Sequence, residues 1–338
     1  MFAANPARAK LGPPLASDYN YFSRFICFAF RESAHPIAAT VRGEGKLKTP
    51  LLIKQILLPV DFPANSVSII QQAVTLAERF HSGIVMLHVA TPESQAAGVP
   101  TDARDLAKWN LVAEILRGSK EEFDPSLRTK LETLAVRGEV VQGDPARAIL
   151  QAAQSENADL IMMSSHGNTF DEFLLGSVTA KVVRWNDECP VWTGAHTENP
   201  SIKEFSLRNI LCAVDLGPRS QGAASWAAQL ASEFNAHLTL THVTESMAIL
   251  APGGTWTNPV YQQSLVDDAS DRLTALQKDL SIKADLLIGS GDVPKVLSQM
   301  AKKTEADLLV LDCYPSSGNL RIHAYAIICA VSIPVVSV

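Results

Sequence analysis

The sequence predicts an α/β protein made of two tandem, doubly wound parallel sheets of five strands each, with strand order 3-2-1-4-5 in each sheet. Two observations predict this fold. Short apolar runs alternate with segments whose apolar residues recur at helical spacing, which is typical of parallel strands joined by crossover helices. The landmarks of the first half also recur in the second half, in the same order and at nearly constant spacing.

The first half supplies the elements in order. The apolar runs 56–61 and 84–89 are predicted strands, and residues 64–80 between them form a predicted amphipathic helix. A long polar, helix-rich stretch follows over residues 91–135. The weaker run 136–141 favours an edge strand over a central one.

A second pair of elements completes this half. Asp144 and Pro145 form a helix start, with an acid at the N-cap and proline at the first helical position. The helix leads into the buried strand 160–163, and Pro190 begins the last strand.

The second half repeats these landmarks, which indicates a tandem duplication. Two pairs of equivalent residues lie 154 positions apart and two lie 148 apart: Asp61 with Asp215, His88 with His242, Gly143 with Gly291, and Ala158 with Ala306. We therefore expect one domain over residues 51–196 and another over 206–338. Residues 1–50 are predicted to be a disordered extension, because their prolines and aromatic residues follow no period; an aromatic docking segment is the alternative.

Bulk composition excludes several classes of function. The chain has 338 residues, a net charge of −6 and 19% charged residues, so no general basic field attracts nucleic acid or anionic lipid. The five cysteines lack metal-ligand spacing and are typical of a reducing cytoplasm. No apolar run approaches the roughly 18–20 residues that span a bilayer. We thus expect a cytoplasmic protein without nucleic-acid or membrane partners.

The loop after strand 160–163 is the main candidate site. Residues 164–167 are small or polar, and Gly176 with Ser177 opens the next helix. Such a loop directs backbone N–H groups and the positive end of a helix dipole at one point, which suits an anion such as a nucleotide phosphate. In the order 3-2-1-4-5 the first strand adjoins the fourth, which places Asp61 beside this loop.

Together these segments resemble a universal stress protein domain, a Rossmann-like nucleotide-binding α/β fold. The residues that carry the resemblance are Pro59-Val60-Asp61, Leu87-His88-Val89, Gly143-Asp144-Pro145, Ala158-Asp159-Leu160-Ile161, the His166-Gly167 loop, Gly176-Ser177 and Cys189-Pro190-Val191. The likeness covers about residues 52–194 and, more weakly, 207–338.

The resemblance implies a site for ATP, with Mg²⁺, because ATP-binding members carry the motif Gly-x2-Gly-x9-Gly-Ser/Thr. It implies the following set: Asp61 and the backbone of Val89 at the adenosine, Ser164 by the ribose, and Gly167, Gly176 and Ser177 around the phosphates. The chain departs from the motif twice. Ser164 replaces the first glycine, and eight residues rather than nine separate Gly167 from Gly176.

The second half lacks this motif. Asp312 stands where the loop begins, and Arg321-Ile322 stands where Gly-Ser belongs. A carboxylate repels phosphate, so we expect this half to bind no triphosphate.

Several residues have a structural interpretation beside the functional one. Asp61 and Asp215 could each cap the loop that follows a strand, and for Asp215 capping is favoured. His88 and His242 are expected to be hydrogen-bonded core residues, and His166 an ordinary loop residue. Trp192 and Val336 fall on the last strands, which are sheet edges, so we expect the two repeats to pair there as an internal pseudo-dimer, or copies of the chain to form a homo-oligomer. Simple core packing of these two residues is the alternative.

The first functional hypothesis is a stress-response regulator that binds ATP in the first repeat and changes its surface for protein partners. The alternative is a dimerisation and interaction module that binds no nucleotide, in which both loops are relics. A third, slow ATP hydrolysis, is the most that we expect by way of catalysis, because no nucleophile, general base or metal cluster can be read from the chain.

Overall fold

The computed structural model describes residues 50–60, 67–91, 125–165, 175–186, 188–195, 205–218, 220–244, 249–251, 254–256, 259–312 and 319–338. The predicted extension, apart from residue 50, lies outside these ranges, as does most of the polar stretch 91–135.

Twelve strands and eight helices are present in the described residues. The strands are β1 (Gln55–Pro59), β2 (Gly83–Ala90), β3 (Val136–Gln142), β4 (Leu160–Met163), β5 (Val191–Thr193), β6 (Asn209–Ala213), β7 (His237–Thr244), β8 (Ile249–Ala251), β9 (Gly254–Trp256), β10 (Asp285–Ser290), β11 (Leu308–Leu311) and β12 (Val335–Ser337). The helices are α1 (Val67–Phe80), α2 (Pro125–Thr133), α3 (Pro145–Ser155), α4 (Ser177–Trp185), α5 (Ser220–Phe234), α6 (Pro259–Asp279), α7 (Val293–Lys303) and α8 (Asn319–Ala330).

Ten of the strands form one mixed sheet. Its order is β10-β7-β6-β11-β12-β5-β4-β1-β2-β3, so each half follows the predicted order 3-2-1-4-5. Strands within each half are parallel, whereas β5 and β12 pair antiparallel and join the halves. The structure thus adds that the two predicted sheets are continuous, because their two edge strands pair with each other. The predicted edge strand 136–141 is confirmed as β3, at one end of the sheet.

Helices cover both faces of the sheet. One apolar cluster spans both halves on the face covered by α1, α2, α5 and α6. The other face carries two clusters, one under α3 and α4 and one under α7 and α8. Alternate residues of a central strand serve opposite faces: Ile56 and Leu58 belong to the first cluster and Leu57 to the other side. Burial on both faces explains why the strands are continuous apolar runs.

Repeat-related acids stabilise the same points in both halves. Asp144 accepts a hydrogen bond from Arg147 N at the start of α3, and Asp292 accepts one from Lys295 N at the start of α7. Each is an N-cap followed closely by proline, as the sequence predicts for the first. The duplication therefore extends to individual hydrogen bonds.

Candidate functional site

The candidate site lies at the carboxyl ends of the central strands of the first half. β1 has β2 on one side and β4 on the other, both parallel to it, so strand order reverses there. In a doubly wound sheet this reversal leaves a crevice in which ligands bind. Of the six predicted site residues, Val89, Ser164, Gly176 and Ser177 are described, and Asp61 and Gly167 lie outside the described residues.

Val89 lies on a part of β2 that extends beyond β1. The register pairs Pro59, the last residue of β1, with Leu87. Residues 88–90 pair with β3 at Val140–Gln142. On the side that faces β1, Val89 therefore borders the crevice, and no strand of the described residues lies beside it there. A backbone in this position suits hydrogen bonds to the edge of a ligand ring.

The strand end beside Val89 is held by a histidine. His88 is buried, and its Nδ1 lies 3.1 Å from Val60 O. His242 makes the equivalent contact with Val214 O at 2.8 Å in the second half. His88 is therefore a hydrogen-bonded core residue, as expected, whereas His242 makes the same contact but is only partly buried.

Ser164 and Ser165 connect β4 to the start of α4. Gly176 N donates to Ser165 O at 2.9 Å, and Thr179 Oγ1 donates to Ser164 O at 3.0 Å. Ser165 and Thr179 are buried, whereas Ser164 is half-buried and Ser177 is exposed. These two bonds hold the first turn of α4 against the carboxyl end of β4.

Within the described residues, no side chain caps the start of α4. Gly176 is the N-cap, with φ −52° and ψ 138°, and makes no capping hydrogen bond. Ser177 follows as the first helical residue and is not the N-cap. By contrast, Asp144 and Asp292 cap α3 and α7. The first N–H groups of α4 are therefore available to an anion.

The equivalent crevice of the second half is filled by its own side chains. Ser220 Oγ lies 3.1 Å from Asp215 Oδ1 and 3.1 Å from Asp312 Oδ2. Asp215 Oδ1 also accepts from Gly217 N at 2.8 Å, so Asp215 caps the loop after β6, as favoured from the sequence. Asp312 is 3% exposed. Two carboxylates in this place oppose a phosphate; the expectation that this half binds no triphosphate stays a prediction.

A buried thiol of the second half has a raised pKa. Burial raises the pKa of Cys212, and the carboxylate of Asp312 raises it further. Cys212 lies on β6, paired with Val310 of β11.

Two residues of these sites were missed from the sequence. Thr179 and Ser220 were not singled out, although each anchors a helix start through its hydroxyl. The available signal was a hydroxyl residue in the first turn of a helix that follows a strand, which is common and carries little information alone.

Two further findings concern metal-binding groups and membrane spans in the described part of the chain. Its His, Cys, Asp and Glu residues form no group that could hold a metal ion. None of its helices is long and apolar enough to cross a membrane.

Comparison with known proteins gives consistent matches. The sequence profile of the Universal stress protein family matches residues 52–193 and 206–318. A universal stress protein of Methanocaldococcus jannaschii is 30% identical over 143 residues, which are 41% of this chain and 81% of that protein. A universal stress protein A homologue of Coxiella burnetii is 31% identical over 115 residues, covering 33% of this chain and 79% of that protein.

Solved structures share the fold of the whole tandem. A functionally unknown protein of Pseudomonas aeruginosa superposes with a TM-score of 0.57 at 19% identity, covering 85% of this chain and 92% of its own. A universal stress protein of Archaeoglobus fulgidus gives a TM-score of 0.52 at 19% identity, covering 84% of this chain and 95% of its own. At such identity the likeness concerns the fold alone.

Proposed function

The chain belongs to the universal stress protein family, and from this membership we propose that it is a regulator that binds ATP in its first repeat. The adenosine would lie against the backbone of Val89 and the side chain of Asp61, with Ser164 by the ribose. Gly167, Gly176 and Ser177 would surround the phosphates, and Mg²⁺ would accompany the triphosphate as its counter-ion.

The observation that carries the proposal is the uncapped start of α4. Its N-cap is a glycine without a side-chain hydrogen bond, and the next residue, Ser177, is exposed. This helix start lies at the carboxyl end of β4, beside the point where strand order reverses. Free N–H groups and a helix dipole at a switch point fit the donor chemistry that a phosphate needs.

The proposed role is regulatory and not catalytic. The described residues around the site offer backbone N–H groups and small hydroxyls, which bind and orient an anion. Nucleotide occupancy would then change the surface that the first repeat presents to protein partners. Slow ATP hydrolysis remains the most that this arrangement would support.

One observation favours a second candidate, an interaction module without nucleotide. The second repeat keeps the complete fold although Asp215, Ser220 and Asp312 fill its crevice. A repeat of this kind therefore folds without an anion site. Mass spectrometry of small molecules extracted from freshly purified protein separates the two candidates, since a co-purifying adenine nucleotide is expected only from the regulator.

Calorimetric titration with ATP tests the proposal directly, using Gly176→Asp as the variant. The backbone of Gly176 has N-cap angles that any residue adopts. An aspartate there would occupy the free N–H groups, which abolishes ATP binding and stabilises the helix by about a few tenths of a kcal/mol. Loss of binding with an unchanged or higher melting temperature is the expected result.

Gly222→Asp is the matched control. Gly222 is exposed in the first turn of α5, and a Cβ added there would have no described atom within 4 Å. The same charge is thus added near a helix start in the other repeat, and ATP affinity should not change. Failure of the unaltered chain to bind millimolar ATP would refute the proposal.

A further inference from the structure

We propose that α8 of the second repeat clamps the start of α4, so that the second repeat positions the N–H groups of the first-repeat site. The inference deepens the proposed function and rests on it for its ligand. It assigns a role to the second repeat, whose own crevice is filled, and it names Cys329 as the positioning residue.

Leu175 shows that the second repeat reaches this site. It directly precedes Gly176, the N-cap of α4, and is 5% exposed. Its apolar cluster consists otherwise of buried residues from the second repeat, among them Ile327, Ile328 and Val331. The residue before the candidate phosphate site is therefore anchored in the core of the neighbouring repeat.

Cys329 adds a polar contact to this anchor. Cys329 packs against the same apolar cluster as Leu175, and the backbone of Leu175 and the side chain of Tyr325 are near enough to its thiol to lower its pKa by hydrogen bonding. Burial raises the pKa of Cys329, and the two hydrogen bonds lower it in part. The group is thus a neutral thiol near pH 7, whose sulfur serves as an acceptor.

The start of α4 is consequently held from both repeats. Gly176 N donates to Ser165 O within the first repeat, and the backbone of Leu175 lies beside the thiol of Cys329 across the junction. Consecutive residues at the beginning of the helix are held by different repeats. Because the helix start has no side-chain cap, these contacts set the direction in which its remaining N–H groups point.

This geometry couples nucleotide binding at the start of α4 to the packing of α8. A ligand that binds the N–H groups at the start of α4 can shift this helix start. The packing of α8 against Leu175 then either opposes or favours that shift. Any effect of this packing on nucleotide affinity must be matched by an equal effect of nucleotide on the packing. The second repeat would thus both tune the site and sense its occupancy.

The test uses the full chain with Cys329→Ala and Cys329→Ser. Alanine removes the sulfur acceptor, whereas serine keeps an acceptor in the same place. We expect the dissociation constant for ATP to rise about three- to tenfold in Cys329→Ala, the change equivalent to one hydrogen bond. Cys329→Ser should recover most of the affinity, which a purely structural loss of volume would not do.

Hydrogen exchange supplies a readout that needs no nucleotide. In Cys329→Ala the peptide that covers residues 175–185 should exchange faster than in the unaltered chain, because the amides of Leu175, Gly176 and Ala180 depend on this anchor. The same peptide in Cys329→Ser should exchange at nearly the original rate.

Cys189→Ala is the matched control. Cys189 is also a partly buried thiol, and burial raises its pKa as it does that of Cys329. It precedes β5 and so lies toward the amino ends of the first-half strands, away from the candidate site at their carboxyl ends. Neither the ATP affinity nor the exchange of the peptide should change in this variant.

The outcomes separate the two proposals. Unchanged exchange in Cys329→Ala overturns the clamp, and so does faster exchange without loss of ATP affinity. Faster exchange in a chain that never binds ATP supports the clamp and overturns the proposed function.

Discussion

Trp192 lies directly opposite Val336 in the antiparallel pair of β5 and β12 that joins the two repeats. Its indole is fully buried, and Nε1 donates to Gln72 Oε1 of α1 at 2.7 Å. The ring of Phe205 contacts it edge to face, with centroids 6.0 Å apart. One side chain thus connects the junction of the sheet, the first helix layer and the segment that enters the second repeat.

Gln72→Met should destabilise the chain by about 1–3 kcal/mol, because the indole N–H would be buried without an acceptor. Trp192→Phe removes the donor instead, and the double variant should lose less than the sum of the two single changes. Urea denaturation of the four proteins measures this coupling. Strictly additive losses would show that the hydrogen bond contributes nothing to the junction.

Gly289→Ala should destabilise the second repeat by about 1–3 kcal/mol through overpacking. A methyl group there would lie 2.4 Å from Val296 Cγ1 and 2.6 Å from Met300 Cε, on the face that α7 covers. If the flexible side chain of Met300 adjusts, the loss of stability should fall at the lower end of this range.

Gly222→Ala is the control for that substitution. No described atom lies within 4 Å of the added methyl group, and the residue belongs to α5. Alanine should therefore stabilise the helix, by about 0.5–1 kcal/mol. Thermal unfolding that shifts in opposite directions for the two variants is the expected result, and a similar shift for both would contradict it.

The stability of the chain should fall at alkaline pH in a way that depends on Cys189. Burial, with the carboxylates of Asp159 and Glu188, raises the pKa of this thiol from 9.0 to about 12. Between these values the unfolded chain releases a proton that the folded chain keeps, which favours unfolding. The contribution of Cys189 is therefore complete below pH 9 and is lost as the pH rises toward 12, at up to about 1.4 kcal/mol per pH unit.

Comparison with Cys189→Ser isolates this effect from other groups that titrate at high pH. The difference in unfolding free energy between the two proteins should be constant from about pH 7 to 9 and then shrink. Alkylation of Cys189 at about pH 8.5, followed by peptide mass spectrometry, should require unfolding. Rapid labelling of the native chain would argue against a buried, protonated thiol.

Much of the fold was predictable because its signals are local. Continuous apolar runs mark strands that are buried on both faces, and Asp144 with Pro145 marks a helix start through the geometry of a single turn. Because His88 recurs as His242, equivalent positions of the two repeats could be matched from the sequence. Both residues make the same hydrogen bond. The hairpin of β8 and β9 carried no comparable signal and was not predicted.

The candidate site was predictable in part. Gly176 and Ser177 were recognised as a helix start from two adjacent residues, and the structure adds that this start is uncapped. The Asp215–Ser220–Asp312 contact was not foreseen, because it joins residues as far as 92 positions apart and depends on how α5 lies over the sheet. The ligand roles of all six predicted site residues stay predictions, and Asp61 and Gly167 also lie outside the described residues.

The order of strands and helices, the duplication and the family thus follow from the chain's own pattern, since periodicity and local capping record which residues must be buried and where elements begin. Such a pattern does not record what a buried residue packs against. That Leu175 enters the core of the second repeat, and that Trp192 faces Val336 within a single continuous sheet, was decided by tertiary contacts between segments far apart in sequence.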